Sequence, residues 1–279
     1  MSIVDRRAVP PGLVPGAPAR DTPPAVAPAA SATAAIRLSG VSKVFGRAQA
    51  AVHALDRVSL TVAAGEVVCL IGASGCGKST LLSLVAGLDS PTAGDVSTGD
   101  KRVALMFQEP ALFPWLTAER NVELALRAGG MPRAQRRRRT ADLLDVVHLA
   151  GFAGKRPHEL SGGMRQRVAL ARALAQDADV LLMDEPFGAL DAMTRDLLHD
   201  ELDRICADRE LTVLFVTHNV REAVRLGHRV VLLSSRPGRV IGEFDVPIPR
   251  PRRIDSAAVA ELASTITDQL REEMRRHGN

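Results

Sequence analysis

Short apolar segments recur along the chain from residue 36 onward, and stretches with helical periodicity separate them. Six of these segments are rich in β-branched residues and have the length of strands; they cover residues 58–62, 67–71, 103–107, 180–183, 213–217 and 229–233. Several are continuously apolar, as is typical of strands that are buried on both faces of a parallel sheet. The pattern therefore predicts an α/β fold with a mainly parallel sheet.

Helical patterns occupy much of the chain between the predicted strands, at residues 79–86, 117–126, 134–147, 164–174 and 192–207. Residues 108–179 contain helical patterns but no convincing strand. We therefore expect a helical subdomain, at about residues 109–178, to be inserted into the α/β core.

The C-terminal part of the chain predicts a hairpin followed by a helix. Residues 230–235 and 240–245 flank Arg236-Pro237-Gly238-Arg239, in which Pro and then Gly occupy the centre of a turn. Apolar residues then recur at helical spacing; they are Val259, Leu262, Ile266, Leu270 and Met274. They predict a helix in a C-terminal extension, residues 251–279, which either packs on the domain or binds a partner.

The first 35 residues differ from the rest in composition. They hold seven of the 17 prolines and few large apolar side chains, so they cannot bury enough surface to offset the entropy cost of ordering. We expect a disordered leader at residues 1–35, followed by the main domain at residues 36–250.

The whole chain has 279 residues, of which 24% are charged and 46% are hydrophobic, as is typical of a globular protein. Its longest stretch without a charged side chain, residues 22–36, contains three prolines and is shorter than the roughly 18–20 apolar residues that span a bilayer. We therefore expect no membrane-spanning segment in this chain.

Two further features predict a cytosolic compartment. Arg6 and Arg7 precede a Pro-rich segment instead of an apolar one, which argues against a secretory or twin-arginine signal. The three cysteines, Cys69, Cys76 and Cys206, are widely spaced and have no histidine cluster nearby. Such a set is typical of reduced thiols, so we expect neither disulfides nor a structural metal.

The formal net charge of +4 depends on one short basic run, Arg133 and Arg136–Arg139. This run is either a solvated helix face or a contact with anionic lipid head groups or a membrane subunit. Nucleic-acid binding is not favoured, because Tyr is absent and only 3% of the residues are aromatic.

A P-loop pattern follows the predicted strand at residues 67–71. Residues 72–79 match G-x-x-x-x-G-K-[ST], and a helical stretch follows from Thr80; the segment is Gly72-Ala73-Ser74-Gly75-Cys76-Gly77-Lys78-Ser79-Thr80. Glycines let backbone N–H groups turn inward around a phosphate, and the following helix directs its positive end at the same anion. We expect this segment to bind ATP, with Lys78 at the β- and γ-phosphates and Ser79 as a ligand of Mg²⁺.

A later predicted strand, residues 180–183, ends in the carboxylates of Asp184 and Glu185. Because successive strand residues point to opposite sides, the two carboxylates need not have the same role. With a P-loop upstream, we interpret Asp184 as a second ligand of Mg²⁺. We interpret Glu185 as the general base for a water that attacks the γ-phosphate.

A second anion site of phosphate size is predicted at the segment Leu160-Ser161-Gly162-Gly163-Met164, where a hydroxyl and two glycines open a helix. One nucleotide needs two such helix ends only if a second chain supplies one of them. With the P-loop and the Asp-Glu strand end in this order, residues 36–245 resemble the nucleotide-binding domains of ABC transporters. The resemblance implies a P-loop NTPase of the ABC ATPase type, with an antiparallel β-subdomain and a helical subdomain.

The resemblance also implies roles for residues that are weak signals alone. Gln108 resembles the Q-loop residue that senses Mg²⁺ and couples to membrane subunits, and Asp191 in Gly188-Ala189-Leu190-Asp191 resembles the D-loop residue at the dimer interface. His218 resembles the switch histidine that binds the γ-phosphate and orients Glu185. Phe45 resembles the aromatic residue that stacks on adenine.

Three positions depart from the family's usual pattern. Met164 replaces a Gln that hydrogen-bonds through its amide, whereas a thioether can only pack. Asn219 replaces an Asp after the switch histidine, and Phe45 replaces a Tyr. We still expect Ser161 and the two glycines after it to bind the partner's γ-phosphate.

Within the family, residues 113–117, 160–168 and 234–239 resemble the nitrate, sulfonate, taurine and bicarbonate importers. Trp115 in the first of these segments either faces the coupling helix of a permease or anchors the helical subdomain. The resemblance implies an ATP-hydrolysing importer subunit for a small anion such as nitrate or a sulfonate.

The implied assembly places the chain at the cytoplasmic face of the plasma membrane. Two nucleotide-binding domains, identical or paralogous, hold ATP between the P-loop of one and the signature segment of the other, and their closure moves a permease served by a solute-binding protein. The alternative is a soluble ABC ATPase that acts on nucleic acid or ribosomes. Such proteins normally carry a second nucleotide domain, a long coiled coil or a zinc module, and the sequence contains no pattern for these.

Overall fold

The computed structural model describes residues 33–46 and 48–277, which form two sheets and the helices packed on them. The strands among these residues are β1 (Ala34–Phe45), β2 (Val52–Ala63), β3 (Val67–Ile71), β4 (Ala93–Ser97), β5 (Val103–Met106), β6 (Val180–Asp184), β7 (Thr212–Val216), β8 (Arg229–Leu233) and β9 (Val240–Asp245). The α-helices are α1 (Lys78–Val85), α2 (Ala118–Ala128), α3 (Arg133–Val146), α4 (Gly162–Leu174), α5 (Ala192–Arg209), α6 (Val220–Leu226) and α7 (Ala257–His277).

The main sheet has the strand order β5-β6-β7-β3-β8-β9, and its strands are parallel except for β9. Every residue of β3, β6 and β7 is buried. Alternate residues of β3 belong to different apolar clusters: Cys69 packs in one and Leu70 in the other. The sheet is therefore covered on both faces, which confirms the predicted α/β fold and explains why its strands are continuously apolar.

A second sheet, with the order β2-β1-β4, is antiparallel. It confirms the antiparallel subdomain that the family resemblance implies, although only residues 58–62 of it were predicted as a strand. β1 lacks the continuous apolar run by which the other strands were predicted: Ile36 and Leu38 alternate with Arg37 and Ser39, a pattern of a half-buried strand, and Gly40 interrupts it. β4 was missed because it is largely exposed and has only Val96 partly buried.

Helices α2, α3 and α4 lie between β5 and β6 in the chain, where helices were predicted. The arginine run lies on α3: Arg133, Arg137 and Arg138 are exposed, while Arg136 is half-buried with its Nε 3.7 Å from Glu123 Oε1. The short helix α6 was not predicted. Among the described residues, no helix is both long and apolar enough to cross a membrane.

The C-terminal predictions are confirmed in the structure. β8 and β9 pair as an antiparallel hairpin around the turn at residues 234–239. Helix α7 buries Val259 and Ile266 fully, and Leu262 and Leu270 pack partly buried on the same core, whereas Met274 is 51% exposed. The apolar face of α7 therefore packs on the domain.

The predicted leader falls on residues 1–35, and residues 1–32 lie outside the part of the chain that the structure describes. β1 begins at Ala34, just before the predicted domain boundary. The three cysteines are buried and free. Burial raises the pKa of the Cys206 thiol to about 12, so this residue is an inert core side chain.

Candidate active site

The P-loop segment connects β3 to α1 and surrounds the side chain of Lys78. Lys78 is the first residue of α1 and is 7% exposed. Its Nζ donates hydrogen bonds to the carbonyl oxygens of Gly72 at 2.8 Å and Ala73 at 3.0 Å. The loop therefore holds the ammonium group of Lys78 inside its own turn.

Gly77 allows this loop to pack against the antiparallel sheet. Its φ of +102° is left-handed, and a Cβ there would lie 2.7 Å from Leu55 Cδ2 and 2.8 Å from the Ala54 carbonyl oxygen. A side chain is excluded both by backbone strain and by space. The glycine pattern of the sequence thus has a direct steric cause at this position.

Asp184 is the last residue of β6, and it is 8% exposed beside the start of α1. Burial raises the pKa of its carboxyl, while a hydrogen bond with Ser79 opposes that rise; the charge of Glu185 adds to the rise and that of Lys78 opposes it. The structure thus brings Ser79 and Asp184, both predicted as ligands of Mg²⁺, into contact.

Glu185 and His218 meet at the ends of two neighbouring strands. Glu185 Oε2 lies 3.2 Å from His218 Nδ1, and the two side chains are 23% and 70% exposed. Glu185 has a left-handed φ of +46°, and its N–H donates to the Val216 carbonyl at 2.9 Å. This turn of the chain directs the carboxylate away from the strand axis and towards His218.

A cavity of about 370 Å³ opens between the P-loop, the ends of the parallel strands and the antiparallel sheet. Ten of its lining residues were predicted site residues: Phe45, Ser74, Gly75, Gly77, Lys78, Ser79, Thr80, Gln108, Asp184 and Glu185. Of the other predicted P-loop residues, Gly72 and Ala73 bind Lys78 through their carbonyls, and Cys76 is buried. His218 lies beside this cavity, where it lines a smaller one with Glu185.

Phe45 lines the cavity where the antiparallel sheet forms its wall, and it is paired with Val52 on the neighbouring strand. Its side chain is 43% exposed, and Lys43 Nζ lies 5.0 Å from the centre of its ring. The ring is thus an accessible apolar surface with a cation on it.

The signature segment lies at the start of α4 and is not among the described residues that line this cavity. Ser161 caps α4 by accepting a hydrogen bond from the Met164 N–H at 3.1 Å. A Cβ on Gly163 would lie 3.2 Å from the Ala189 carbonyl oxygen, so the signature packs closely on the D-loop segment. Asp191 ends that segment and caps α5 through the Thr194 N–H, a bond that lowers the pKa of its carboxyl.

Helix α4 also holds the segment that follows β5, a contact that the sequence did not indicate. Gln166 is 3% exposed, and its Nε2 donates to the Gln108 carbonyl at 3.3 Å. Arg172 donates to the carbonyls of Pro110 and Ala111, each at 2.8 Å. The backbone of Gln108 and the residues after it is therefore hydrogen-bonded to the helix that carries the signature.

Arg236 is the cavity-lining residue that sequence reasoning missed most clearly. It lies in the turn between β8 and β9, and its Nε donates to the Gly75 carbonyl in the P-loop at 3.0 Å. The Gly238 N–H of the same turn donates to the Ala54 carbonyl at 2.9 Å. The turn signal was visible in the sequence, but nothing local linked it to a loop 161 residues away.

Trp115 precedes α2 and is 67% exposed, with its ring centre 5.6 Å from that of Phe113. The interpretation of Trp115 as a buried anchor of the helical subdomain is therefore wrong. The two rings form an exposed aromatic pair on this part of the molecule.

Comparison with known proteins agrees with this geometry. Residues 55–188 match the family model described as ABC transporter. The chain is 46% identical to the aliphatic sulfonates import ATP-binding protein of Mesorhizobium japonicum, over 85% of this chain and 88% of that protein. It is 44% identical to the nitrate import ATP-binding protein of a Synechocystis species, over 77% of this chain and 83% of that protein.

Among solved structures, the fold matches a dimeric ATP-binding cassette in a post-hydrolysis state bound to ADP and Pi, with a TM-score of 0.71 and 35% identity, over 77% of this chain and all of that one. Fold and site together define an ATP-binding cassette ATPase. The chain belongs to the ABC transporter family.

Proposed function

We propose that this ATPase is the energy-coupling subunit of an importer for a small anion, such as nitrate or a sulfonate, and that it acts through a separate permease. One observation carries the proposal: a single cavity brings together a P-loop lysine, a buried carboxylate and an accessible aromatic ring at Lys78, Asp184 and Phe45. The substrate class is taken from relatives whose names record sulfonate and nitrate import.

ATP binds in the cavity with its adenine on Phe45 and its phosphates in the P-loop. The half-exposed ring offers a stacking face, and stacking of this kind contributes about 1–3 kcal/mol per base. Lys78 and the N-terminus of α1 lie at the opposite end, where the phosphates carry the charge.

The residues present fit Mg²⁺. Ser79 and Asp184 are oxygen donors in contact at the cavity wall, and the Gln108 side chain belongs to the same lining. Burial disfavours the charged form of Asp184 and so raises its pKa, and a bound cation would offset this cost of burying the carboxylate. When bound there, Mg²⁺ neutralises charge on the phosphates.

Glu185 is the general base and His218 is the residue that positions it. The 3.2 Å contact between them holds the carboxylate at the mouth of the cavity, where a water that attacks the γ-phosphate would lie. A positioned base of this kind accelerates proton transfer by about 10²- to 10⁴-fold.

A second nucleotide-binding domain completes the site. The signature segment lies at a helix N-terminus away from the cavity of its own chain, so it can serve the cavity of a partner. In the proposed head-to-tail dimer, Ser161, Gly162 and Gly163 bind the γ-phosphate held by the partner's P-loop, and Asp191 lies at the interface. Leu160 is buried in the core of its own chain.

Permease subunits bind the dimer at the cytoplasmic face of the plasma membrane, and a solute-binding protein delivers the solute to the permease. The exposed pair of Phe113 and Trp115 supports this contact, because large aromatic residues that are accessible on a surface favour protein interfaces. Gln108 lies close by in the chain and links this surface to the nucleotide cavity.

The test is to isolate the chain from its native membranes and to identify what co-purifies. A permease and a solute-binding protein, together with loss of growth on nitrate or a sulfonate as sole nitrogen or sulfur source when the chain carries Lys78→Ala, are the expected results. Co-purification with ribosomes or nucleic acid, with growth unaffected, would replace the proposal with a soluble ABC ATPase.

A further inference from the structure

A hydrogen-bonded relay of buried polar residues, His199, Glu222 and Thr217, lies next to the proposed catalytic pair and has no part in the function described so far. His199 on α5 is fully buried, and its Nε2 lies 2.9 Å from Glu222 Oε1 on α6. Glu222 is 5% exposed, and its other oxygen binds the Thr217 hydroxyl. Thr217 Oγ1 in turn accepts a hydrogen bond from the Asn219 N–H at 3.0 Å.

In this relay, the hydrogen-bond donors and acceptors can be assigned in only one consistent way. Arg225 Nη1 lies 3.0 Å from His199 Nδ1, and a guanidinium can only donate. His199 Nδ1 must therefore accept, so the ring is neutral and its Nε2–H donates to Glu222. The Glu222 carboxylate accepts from His199 on one oxygen and from Thr217 on the other. The polar side-chain atoms of His199, Glu222 and Thr217 all have partners, whereas Arg225 Nε is buried without one among the described residues. Removal of any of these three members would leave a buried polar group of the relay unpaired.

One end of the relay fixes the backbone on both sides of His218. Thr217 precedes His218 and Asn219 follows it, and the relay binds the side chain of the first and the N–H of the second. Asn219 Oδ1 also caps α6 by accepting from the Arg221 N–H at 3.1 Å. His218 itself is largely exposed, so its position depends on the backbone that carries it.

The other end of the relay lies on α5, which begins directly after Asp191. Arg225 binds Asp196 at 2.9 Å and Asp200 at 2.6 Å, both on α5. The ring of His199 also packs edge-on against Phe187, 5.0 Å away and two positions after Glu185 in the chain. His199 therefore connects α5 both to the segment that carries His218, through Glu222 and Thr217, and to the chain next to Glu185, through Phe187.

We propose that His199 is a positioning residue: through Glu222 and Thr217 it holds His218 against Glu185, and it makes that position depend on α5, the helix that Asp191 caps at the proposed dimer interface. The proposal rests on the roles given above to Glu185 and His218. It predicts that loss of the relay slows the chemical step without weakening ATP binding, because none of the relay residues His199, Glu222 and Thr217 lines the ATP cavity.

The experiment compares His199→Leu, which removes both hydrogen bonds, with His199→Gln, whose amide can donate to Glu222 and accept from Arg225. Asp203→Asn is the matched control: Asp203 is half-buried on the same helix, and its hydrogen-bond partner, Arg250, lies outside the relay. Asp203 meets Arg225 only through its charge, and Arg225 keeps its hydrogen bonds to Asp196 and Asp200 in this variant. For each full-length variant, kcat and KM for ATP are measured together with Tm. We expect His199→Leu to lower kcat by about 10- to 100-fold with KM unchanged, and His199→Gln to restore most of it.

Thr217→Val provides a second break in the relay and keeps the test valid if His199→Leu does not fold. It should lower kcat to the same extent, and His199→Leu combined with Thr217→Val should cost no more than either change alone, because the relay acts as a unit. A kcat that follows Tm alike in Asp203→Asn and the relay variants would overturn the proposal. So would wild-type kcat in a folded Thr217→Val. If Glu185→Gln hydrolyses ATP at the wild-type rate, the proposed function fails instead.

Discussion

Glu185 Oε2 lies 3.2 Å from His218 Nδ1, although the two residues are 33 positions apart in the chain. Sheet pairing explains their proximity. β6 and β7 are parallel neighbours, and Asp184 pairs with Val216, so the residues that follow the two strands emerge at the same edge. The left-handed backbone of Glu185 then turns its carboxylate towards the histidine.

This pair gives the first prediction, for Glu185→Gln. The amide keeps the size and the contact with His218 but cannot take a proton from water, so turnover should fall by about 10²- to 10⁴-fold. ATP binding should be retained, because Lys78 and the P-loop are unchanged. Because bound ATP is not hydrolysed, the variant should also accumulate as a closed dimer. Steady-state hydrolysis, equilibrium binding of ATP and sedimentation in the presence of ATP measure these three consequences in turn. Undiminished turnover would show that Glu185 is not the general base.

The parts of the fold that were predictable are those in which local pattern and burial agree. β3, β6 and β7 are continuously apolar because both sheet faces are covered, and this is visible in the sequence. The P-loop and the Asp184-Glu185 strand end are local as well. They could be read before any tertiary contact was known.

The rest depends on contacts between distant segments. β4 has almost no buried side chain, so no hydrophobic pattern marks it. Arg236 reaches the P-loop only because the hairpin turn packs on Gly75, and the exposure of Trp115 is set by neighbours that the sequence does not specify. The relay through His199 is likewise a product of α5 packing beside α6.

The second prediction concerns Ser161, which caps α4 and is proposed to bind the partner's γ-phosphate. Ser161→Ala loses a cap worth about 1 kcal/mol of stability. Thr117→Ala is its control, because Thr117 caps α2 by accepting from the Arg120 N–H at 3.3 Å and lies outside the signature. Both variants should lose similar stability in urea unfolding.

Only Ser161→Ala should weaken the dimer that ATP induces, since only it removes a proposed phosphate ligand. Sedimentation of each variant in the Glu185→Gln background, with ATP present, measures this difference. Equal dimerisation in the two variants would mean that the hydroxyl at 161 is a helix cap and nothing more.

The third prediction is that Arg236→Ala raises the KM for ATP. The guanidinium of Arg236 stabilises the P-loop by donating a hydrogen bond to the Gly75 carbonyl, and it adds positive charge to the cavity. This hydrogen bond is exposed to solvent, so its loss should cost about 0.5–1.5 kcal/mol, which corresponds to a rise of about 2- to 10-fold. Arg239→Ala is the control: Arg239 lies in the same turn but binds Asp56, at 2.8 Å. A KM that rises equally in both variants would assign the effect to the turn as a whole.

The fourth prediction is a pH dependence of stability that originates at His228, just before β8. The Val67 N–H donates to His228 Nδ1 at 2.9 Å, so this nitrogen must stay unprotonated in the fold. Burial, with the charges of Arg250 and Arg252, lowers the pKa of His228 from 6.5 to about 4. The unfolded chain has no such constraint.

Between these two pKa values the unfolded chain binds a proton that the folded chain does not. The stabilisation is therefore complete above about pH 6.5 and is lost progressively as the pH falls through about pH 4. His228→Asn removes the titration while its side-chain oxygen can still accept from Val67. Urea unfolding of both proteins at about pH 7, 6 and 5 should give similar stabilities at the first pH and a growing advantage for the variant at lower pH. Parallel losses would show that His228 titrates alike in the folded and unfolded chains.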